Sequence, residues 1–235
     1  MRIRRRVISI VIPALNEAHN LKLLLEQLKH VSVDYNNLEI LIADGGSVDD
    51  TERVCRNFDV LFVNCLRAQR AAQMNVGGRV SKGEILYFLH ADSKLPQHFD
   101  QKIKSSLENG AIAGCFNMKF DDVNPILSFF GWFTQFDLNI LRGGDQSLFI
   151  KRSEFENIGG FNDKMDLMED YDIIKRIKQR GKFEIVDGPI ITSSRTYKIN
   201  GVLRLQFIYL LIQLMYRSGF SQKKLVAFYK KYVRS

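Results

Sequence analysis

Residues 7–12 read VISIVI and run on into Pro13-Ala14-Leu15-Asn16-Glu17. A continuous β-branched run without polar alternation is the pattern of a strand covered on both faces. The segments after it repeat the theme. Residues 18–30 place Leu21, Leu24, Leu25 and Leu28 at helical spacing, and residues 38–43 (LEILIA) form a second apolar strand ending at Asp44-Gly45-Gly46-Ser47. A helix over 49–57, a strand over 60–65, a helix over 68–80 and a strand over 84–89 continue the alternation, the last running into His90-Ala91-Asp92. Such alternation predicts an α/β fold, a mostly parallel sheet with helices on both faces. Ligands of these sheets sit beyond the carboxyl ends of the strands. The polar residues gather there: Asn16 and Glu17 after the first strand, Asp44 after the second, His90 and Asp92 after the fourth.

The second half is less regular. A strand is expected over 111–120, then an aromatic segment over 125–141 with Phe129, Phe130, Trp132, Phe133 and Phe136. Gly143-Gly144-Asp145-Gln146 precedes a strand over 147–151, and Gly159-Gly160-Phe161 marks a turn. A helix over 167–180 carries Glu169 and Asp170 in its first turn, where carboxylates suit the positive end of the helix dipole. No repeat, low-complexity tract or proline-rich linker divides the chain. The expected organisation is one domain over 1–197 with a helical, basic, aromatic-rich appendage over 198–235.

The charge is uneven. The 235 residues hold 34 Lys+Arg against 26 Asp+Glu, a net +8. Four arginines stand within residues 2–6, and residues 196–235 hold eight basic residues and no acid. Setting those twelve aside leaves 22 basic against 26 acidic residues over 7–195, a net −4. A mildly acidic body argues against a nucleic-acid-binding surface. Three cysteines (Cys55, Cys65, Cys115), none in a CxxC pair, exclude a disulfide framework and a four-cysteine zinc site. A reducing, cytoplasmic setting is expected. No 18-residue apolar run exists, and the Met1 end is too polar and basic for a signal peptide. The stretch from Val202 to Tyr216 is apolar except for Arg204, Gln206 and Gln213. At ~1.5 Å per residue it falls short of a ~30 Å hydrocarbon core. It either packs on the domain as an amphipathic helix or lies peripherally in a membrane interface, with Lys223, Lys224, Lys230 and Lys231 drawn to anionic lipid.

The motifs at the strand ends carry a resemblance. Ser9-Ile-Val-Ile-Pro-Ala-Leu-Asn-Glu17, Asp44-Gly-Gly-Ser-Val-Asp-Asp-Thr51, Leu89-His-Ala-Asp92, Gly159-Gly-Phe161 and Met168-Glu-Asp170, in this order, resemble the family-two glycosyltransferases of GT-A (Rossmann-like) fold over about residues 7–195. Arg70-Ala-Ala-Gln-Met-Asn75, the His-Ala-Asp triplet and Gly144-Asp-Gln146 are most similar to small bacterial enzymes, some named for radical-SAM/selenodomain neighbours. The resemblance implies an inverting transfer of a sugar from a nucleotide-diphosphate donor to a hydroxyl acceptor, assisted by Mg²⁺ or Mn²⁺. The acceptor's identity stays open, a lipid-linked hydroxyl among the options.

It also implies roles. Asp44 accepts hydrogen bonds from the base or ribose, with Pro13, Asn16 and Glu17 lining the same pocket. A strand-end carboxylate suits imide N–H or sugar hydroxyl donors, and an Asx-turn that ends the strand is the competing role. Asp92 is the metal ligand. His90 replaces the first carboxylate of the family's Asp-X-Asp, and it either bonds ribose or phosphate, ligates Mn²⁺, or packs as a strand-end histidine. Arg70 grips the diphosphate through its planar guanidinium, with Asn75 supporting the nucleotide. Asp170 is the general base and Glu169 stands beside it, since one-step displacement at an anomeric carbon needs one carboxylate for the acceptor's proton. Asp145 and Gln146 lie near the acceptor or donor sugar. Arg195 matches the first position of an Arg-Arg-Trp-like diphosphate-binding segment, from which Thr196 and Tyr197 depart. Residues 128–136 form an acceptor wall, a docking surface or core.

Competing activities fare worse. Nucleotidyl transfer wants a glycine-rich loop after the first strand, and Pro13-Ala14-Leu15-Asn16 has no glycine. A dinucleotide-dependent oxidoreductase wants GxGxxG at the same place. A catalytically silent nucleotide-sugar-binding or membrane-docked scaffold stays in contention because of His90.

Overall fold

The structure is a computed structural model that describes residues 7–136 and 146–234. The arginines of residues 2–6, the end of the aromatic segment and Asp145 lie outside the described residues.

The opening run forms β1 (Ile8–Ala14), with Ile8, Ile10, Val11 and Ile12 all fully buried. The chain continues through α1 (Ala18–Val31), β2 (Leu38–Asp44), α2 (Thr51–Cys55), β3 (Leu61–Asn64), α3 (Arg70–Val80) and β4 (Ile85–Phe88). After α4 (Phe99–Glu108) come β5 (Ala113–Phe120), α5 (Pro125–Phe133), β6 (Leu148–Lys151), α6 (Arg152–Asn157), α7 (Glu169–Lys178) and β7 (Phe183–Thr192). Three helices close the chain: α8 (Arg195–Asn200), α9 (Val202–Arg217) and α10 (Gln222–Tyr232).

One sheet holds the strands in the order β3-β2-β1-β4-β6-β5-β7. β1, β2, β3 and β4 pair in parallel, β6 runs antiparallel to both β4 and β5, and β5 pairs in parallel with β7. Six strands therefore share one direction. The order reverses between β1 and β4, which opens a crevice beyond their carboxyl ends.

Both faces are covered, as the unbroken apolar strands require. Ile8, Ile10 and Ile12 pack with Leu21, Leu25 and Leu28 of α1 and with Phe99 and Ile103 of α4. On the other face Val11, Leu86 and Phe88 meet Met74 of α3, Phe155 of α6 and Ile173, Ile174 and Ile177 of α7. Each such side chain contributes roughly 1.5–3 kcal/mol by leaving water. The elements that escape the sequence pattern include α6, β7 and α4. β7 contains Asp187-Gly188-Pro189, which reads as a turn; the sheet absorbs it by a register shift opposite Phe116 and Met118, with Gly188 at φ +116°. α4 is apolar only at Phe99, Ile103 and Leu107, and it starts after His98 in the left-handed region at φ +58°.

The tail packs on the body. Leu205, Ile208 and Ile212 of α9 form a third cluster with Leu127 of α5, Tyr197 of α8, Leu225 of α10 and Val233. Asn200 closes it, donating to the Arg234 carbonyl at 2.8 Å and accepting from the Arg234 N–H at 2.8 Å. Among the described residues no helix is long and apolar enough to cross a membrane.

Candidate active site

The loop after β1 is fastened to the loop after β2. Asn16 sits in the left-handed region at φ +57°; its N–H donates to Ser47 Oγ at 2.8 Å and its Oδ1 accepts from the Val48 N–H at 2.9 Å. The Glu17 N–H donates to Thr51 Oγ1 at 3.0 Å. Asp44 is buried at the end of β2, where Oδ2 accepts from the Gly46 and Ser47 N–H groups at 2.8 and 2.9 Å and Oδ1 accepts from Ser47 Oγ–H. The carboxylate thus ties its own Asx-turn, and that turn holds the first loop in place.

α3 is set across the same strand ends by Gln73, whose buried Nε2 donates to the Ala14 carbonyl at 2.8 Å and to the Ala43 carbonyl at 2.7 Å. That bridge aims Arg70, at the start of α3, into the crevice. The Arg70 guanidinium is half exposed and stands 3.6 Å from the carboxylate of Glu169, which is almost wholly buried. Burial pushes the Glu169 carboxyl up, and Arg70 offsets only part of that rise. At the end of β4, His90 is held well below the ordinary imidazole range by burial and then by the charge of Arg70. It is a neutral imidazole at pH 7. Asp92, two residues on, is exposed.

These groups line a cleft of about 770 Å³. Pro13, Glu17, Arg70, His90 and Asp92 line it, as do Glu169 and Asp170 of α7 and Arg195 of α8. Gln146 forms part of the floor, buried, its Oε1 4.0 Å from Cys115 Sγ. Phe130 of α5, Thr134 just beyond it, and Gln206, Tyr209 and Gln213 of α9 complete the lining. Among the described residues, no three His, Cys, Asp or Glu side chains converge on one point as a metal cage. The donor set is one free-standing carboxylate beside a neutral imidazole, which suits a hard cation that arrives with phosphate oxygens of its own.

Most of the residues picked from sequence meet at this cleft. Three do not line it. Asp44 and Asn16 stand behind the rim as loop fasteners. Asn75 is buried in α3, donating to the Phe161 carbonyl at 2.8 Å and accepting from the Phe161 N–H at 2.8 Å. Its amide holds the Gly159-Gly160-Phe161 turn behind the cleft lining. The sequence reading overlooked the wall from α9. A signal was present: Gln206 and Gln213 interrupt the apolar run seven residues apart and so share a helix face. The Arg70–Glu169 pair was not foreseen either, because the two residues are far apart in the chain and meet only when α7 docks beside α3.

The comparisons with known proteins agree with this geometry. A solved mannosyltransferase, PcManGT from Pyrobaculum calidifontis in complex with GDP-Man and Mn²⁺, superposes with a TM-score of 0.70 at 18% identity, covering 92% of this chain and 65% of that one. TarS 1–349 of S. aureus in complex with UDP superposes with a TM-score of 0.65 at 13% identity, over 96% of this chain and 70% of that one. At such identities the likeness establishes the fold, the GT-A arrangement. In sequence, an uncharacterised glycosyltransferase of Haemophilus influenzae is 29% identical over 195 residues, 75% of this chain and 64% of its own length. The glycosyltransferase AglE of Haloferax volcanii is 27% identical over 111 residues, 45% of this chain and 36% of its own. The chain thus spans between about a third and two thirds of the length of these relatives. The sequence model of glycosyl transferase family 2 matches residues 9–160, and with that match the chain belongs to this family of glycosyltransferases.

Proposed function

We propose that the protein is an inverting glycosyltransferase of the small bacterial kind named for radical-SAM/selenodomain neighbours, moving a sugar from a nucleotide-diphosphate donor to a hydroxyl acceptor. The observation that carries this reading is that Arg70, Asp92 and Asp170 line one cleft at the β1/β4 switch point. A cationic and a metal-ligating group there suit a leaving diphosphate. A partly exposed carboxylate in the same cleft suits an incoming hydroxyl. The GDP-Man and UDP held by the two structural neighbours support a nucleotide sugar as donor.

In this reading Pro13 and Glu17, on the rim that Asn16 and Asp44 brace, flank the nucleotide. Arg70 and Arg195 grip the diphosphate, and Gln146, with Asp145, faces the sugar. Asp170 takes the acceptor's hydroxyl proton as that oxygen attacks the anomeric carbon from the side opposite the diphosphate. The bond from carbon to the diphosphate oxygen breaks, its electron pair leaves with the nucleotide, and the configuration inverts. Glu169, buried against Arg70, positions the guanidinium and leaves the proton to Asp170. Mg²⁺ or Mn²⁺, held by Asp92 together with diphosphate oxygens, would neutralise charge on the leaving group. A neutral His90 hydrogen-bonds phosphate or ribose without repelling that cation. The acceptor is a lipid-linked hydroxyl met at the cytoplasmic face of a membrane, where residues 198–235 make peripheral contact; the acid-free basic tail supports this part.

Nucleotide-sugar turnover tests the proposal. With Mn²⁺ present, the wild-type chain is expected to release nucleotide diphosphate from its donor, and Asp170→Asn to lose at least ~100-fold of that rate while binding the donor within about threefold of wild type. Transfer by Asp170→Asn at the wild-type rate overturns the base assignment. Failure to bind any nucleotide sugar overturns the donor.

A further inference from the structure

Among the described residues, every exposed phenylalanine and the chain's single tryptophan lie in α5, just beyond it, or in the tail. On α5 the inner side carries Leu127, while Phe129 and Trp132 are 57% and 56% exposed on the outer side. Their rings pack on one another: Phe129 on Phe133 at 4.7 Å and Trp132 on Phe136 at 5.0 Å. On α9 the residues at 205, 208 and 212 are buried and those at 206, 209 and 213 face the cleft. The remaining face presents Leu203, Phe207, Leu210 and Leu214, each between 41% and 64% exposed. Their spacing of four, three and four makes a single stripe down the helix. The two helices are neighbours, since Leu127 shares a cluster with Leu205, Ile208 and Ile212, and both line the same cleft.

We infer that the outer faces of α5 and α9 together form a membrane-docking surface, which seats the acceptor side of the cleft on an anionic bilayer. Scattered single apolar residues need no explanation, but two exposed apolar stripes beside one cleft do. Charge selects the occupant. Residues 123–136 carry no charge at all, and residues 196–235 carry eight basic residues and no acid. Lys223, Lys224, Lys230 and Lys231 are exposed on α10, which packs against α9. An apolar stripe with aromatic residues and a cationic border is the composition of an element lying in a lipid interface. A second copy of the chain would bring a like-charged border against this one. The inference deepens the membrane contact of the proposed function and rests on it for direction. It adds that the body, through α5, takes part in the contact, and that Asp170 then faces an acceptor whose apolar portion stays in the lipid.

Trp132 reports on this surface alone. The full chain is titrated with phosphatidylcholine vesicles and with vesicles containing about 30% phosphatidylglycerol, following tryptophan emission and co-sedimentation. A blue shift is expected with the anionic vesicles only, weakening severalfold at about 0.5 M salt. The double variant Phe207→Ser/Leu210→Ser, which alters exposed positions and is expected to melt near the wild-type temperature, should lower vesicle partition about tenfold or more. Co-sedimentation with unmoved Trp132 emission overturns the inference and leaves a contact made by the basic tail alone. Emission that shifts with protein concentration in the absence of lipid overturns it in favour of a second copy. Absence of vesicle binding overturns both this surface and the peripheral contact, while sugar transfer, measured separately, still judges the enzyme.

Discussion

The fate of Asn75 shows what decides a residue's role. An amide in α3, one turn past Arg70, suits a nucleotide as well as it suits a backbone turn, and nothing local distinguishes the two. The decision is made 86 residues away, where Phe161 folds back and offers both its N–H and its C=O. Asn75→Ala leaves two buried backbone groups without partners, at about 1–3 kcal/mol each. The expected result is a loss of roughly 2–4 kcal/mol in denaturant unfolding, with donor affinity within about twofold of wild type in a nucleotide titration. Lost affinity at full stability would return Asn75 to the nucleotide. Asp44 carries the same lesson. Its position at a strand end was legible, but which atoms its carboxylate serves depends on the turn geometry of Gly46 and Ser47.

At the scale of elements, α3 is the part whose placement matters most, because it carries Arg70. Gly77 lets it lie close on β1: a Cβ there would stand 2.3 Å from Val11 Cγ1. Gly to Ala in a helix interior ordinarily stabilises by about 1 kcal/mol, whereas forcing a methyl into a packed core costs about 1–3 kcal/mol. Here the clash wins. Gly77→Ala should lower stability by about 1–2 kcal/mol and weaken donor binding by displacing Arg70, and adding Val11→Ala should recover most of both losses. Full additivity of the two substitutions in unfolding and binding measurements would count against this coupling. β1, β2 and β4 were readable because burial on both faces favours apolar, largely β-branched residues, as in Ile8–Ile12. β7 was not readable. Its Asp187-Gly188-Pro189 obeys local turn rules that the neighbouring strand overrides, since the register shift at Phe116 and Met118 accepts the irregularity. α4 was missed for the opposite reason, a helix whose three core residues are too few to raise the pattern above its polar surroundings.

At the scale of the molecule, the division at residue 198 drawn from charge and composition meets a structure in which the tail walls the cleft. Two pictures make opposite predictions. A tail that only seeks lipid can be removed without consequence for the body. A tail that completes the fold cannot. Removing residues 202–235 takes away Leu205, Ile208, Ile212, Leu225 and Val233, all buried, and exposes Leu127 and Tyr197 beneath them. At roughly 1.5–3 kcal/mol for each buried side chain, that loss approaches the whole net stability of about 5–15 kcal/mol expected of a domain this size. It also removes Gln206, Tyr209 and Gln213 from the lining, so that part of the cleft opens to solvent. The chain ending at Gly201 is therefore expected to melt at a markedly lower temperature and with a broader transition than the full chain. It should bind a hydrophobic dye that the full chain binds weakly, and it should lose transfer even where it still binds nucleotide. A truncated chain that melts and binds donor as the full one does would establish residues 202–235 as a separate unit. The basic excess would then belong to an appendage, whereas a cooperative loss ties the same residues at once to the core and to the lining of the cleft.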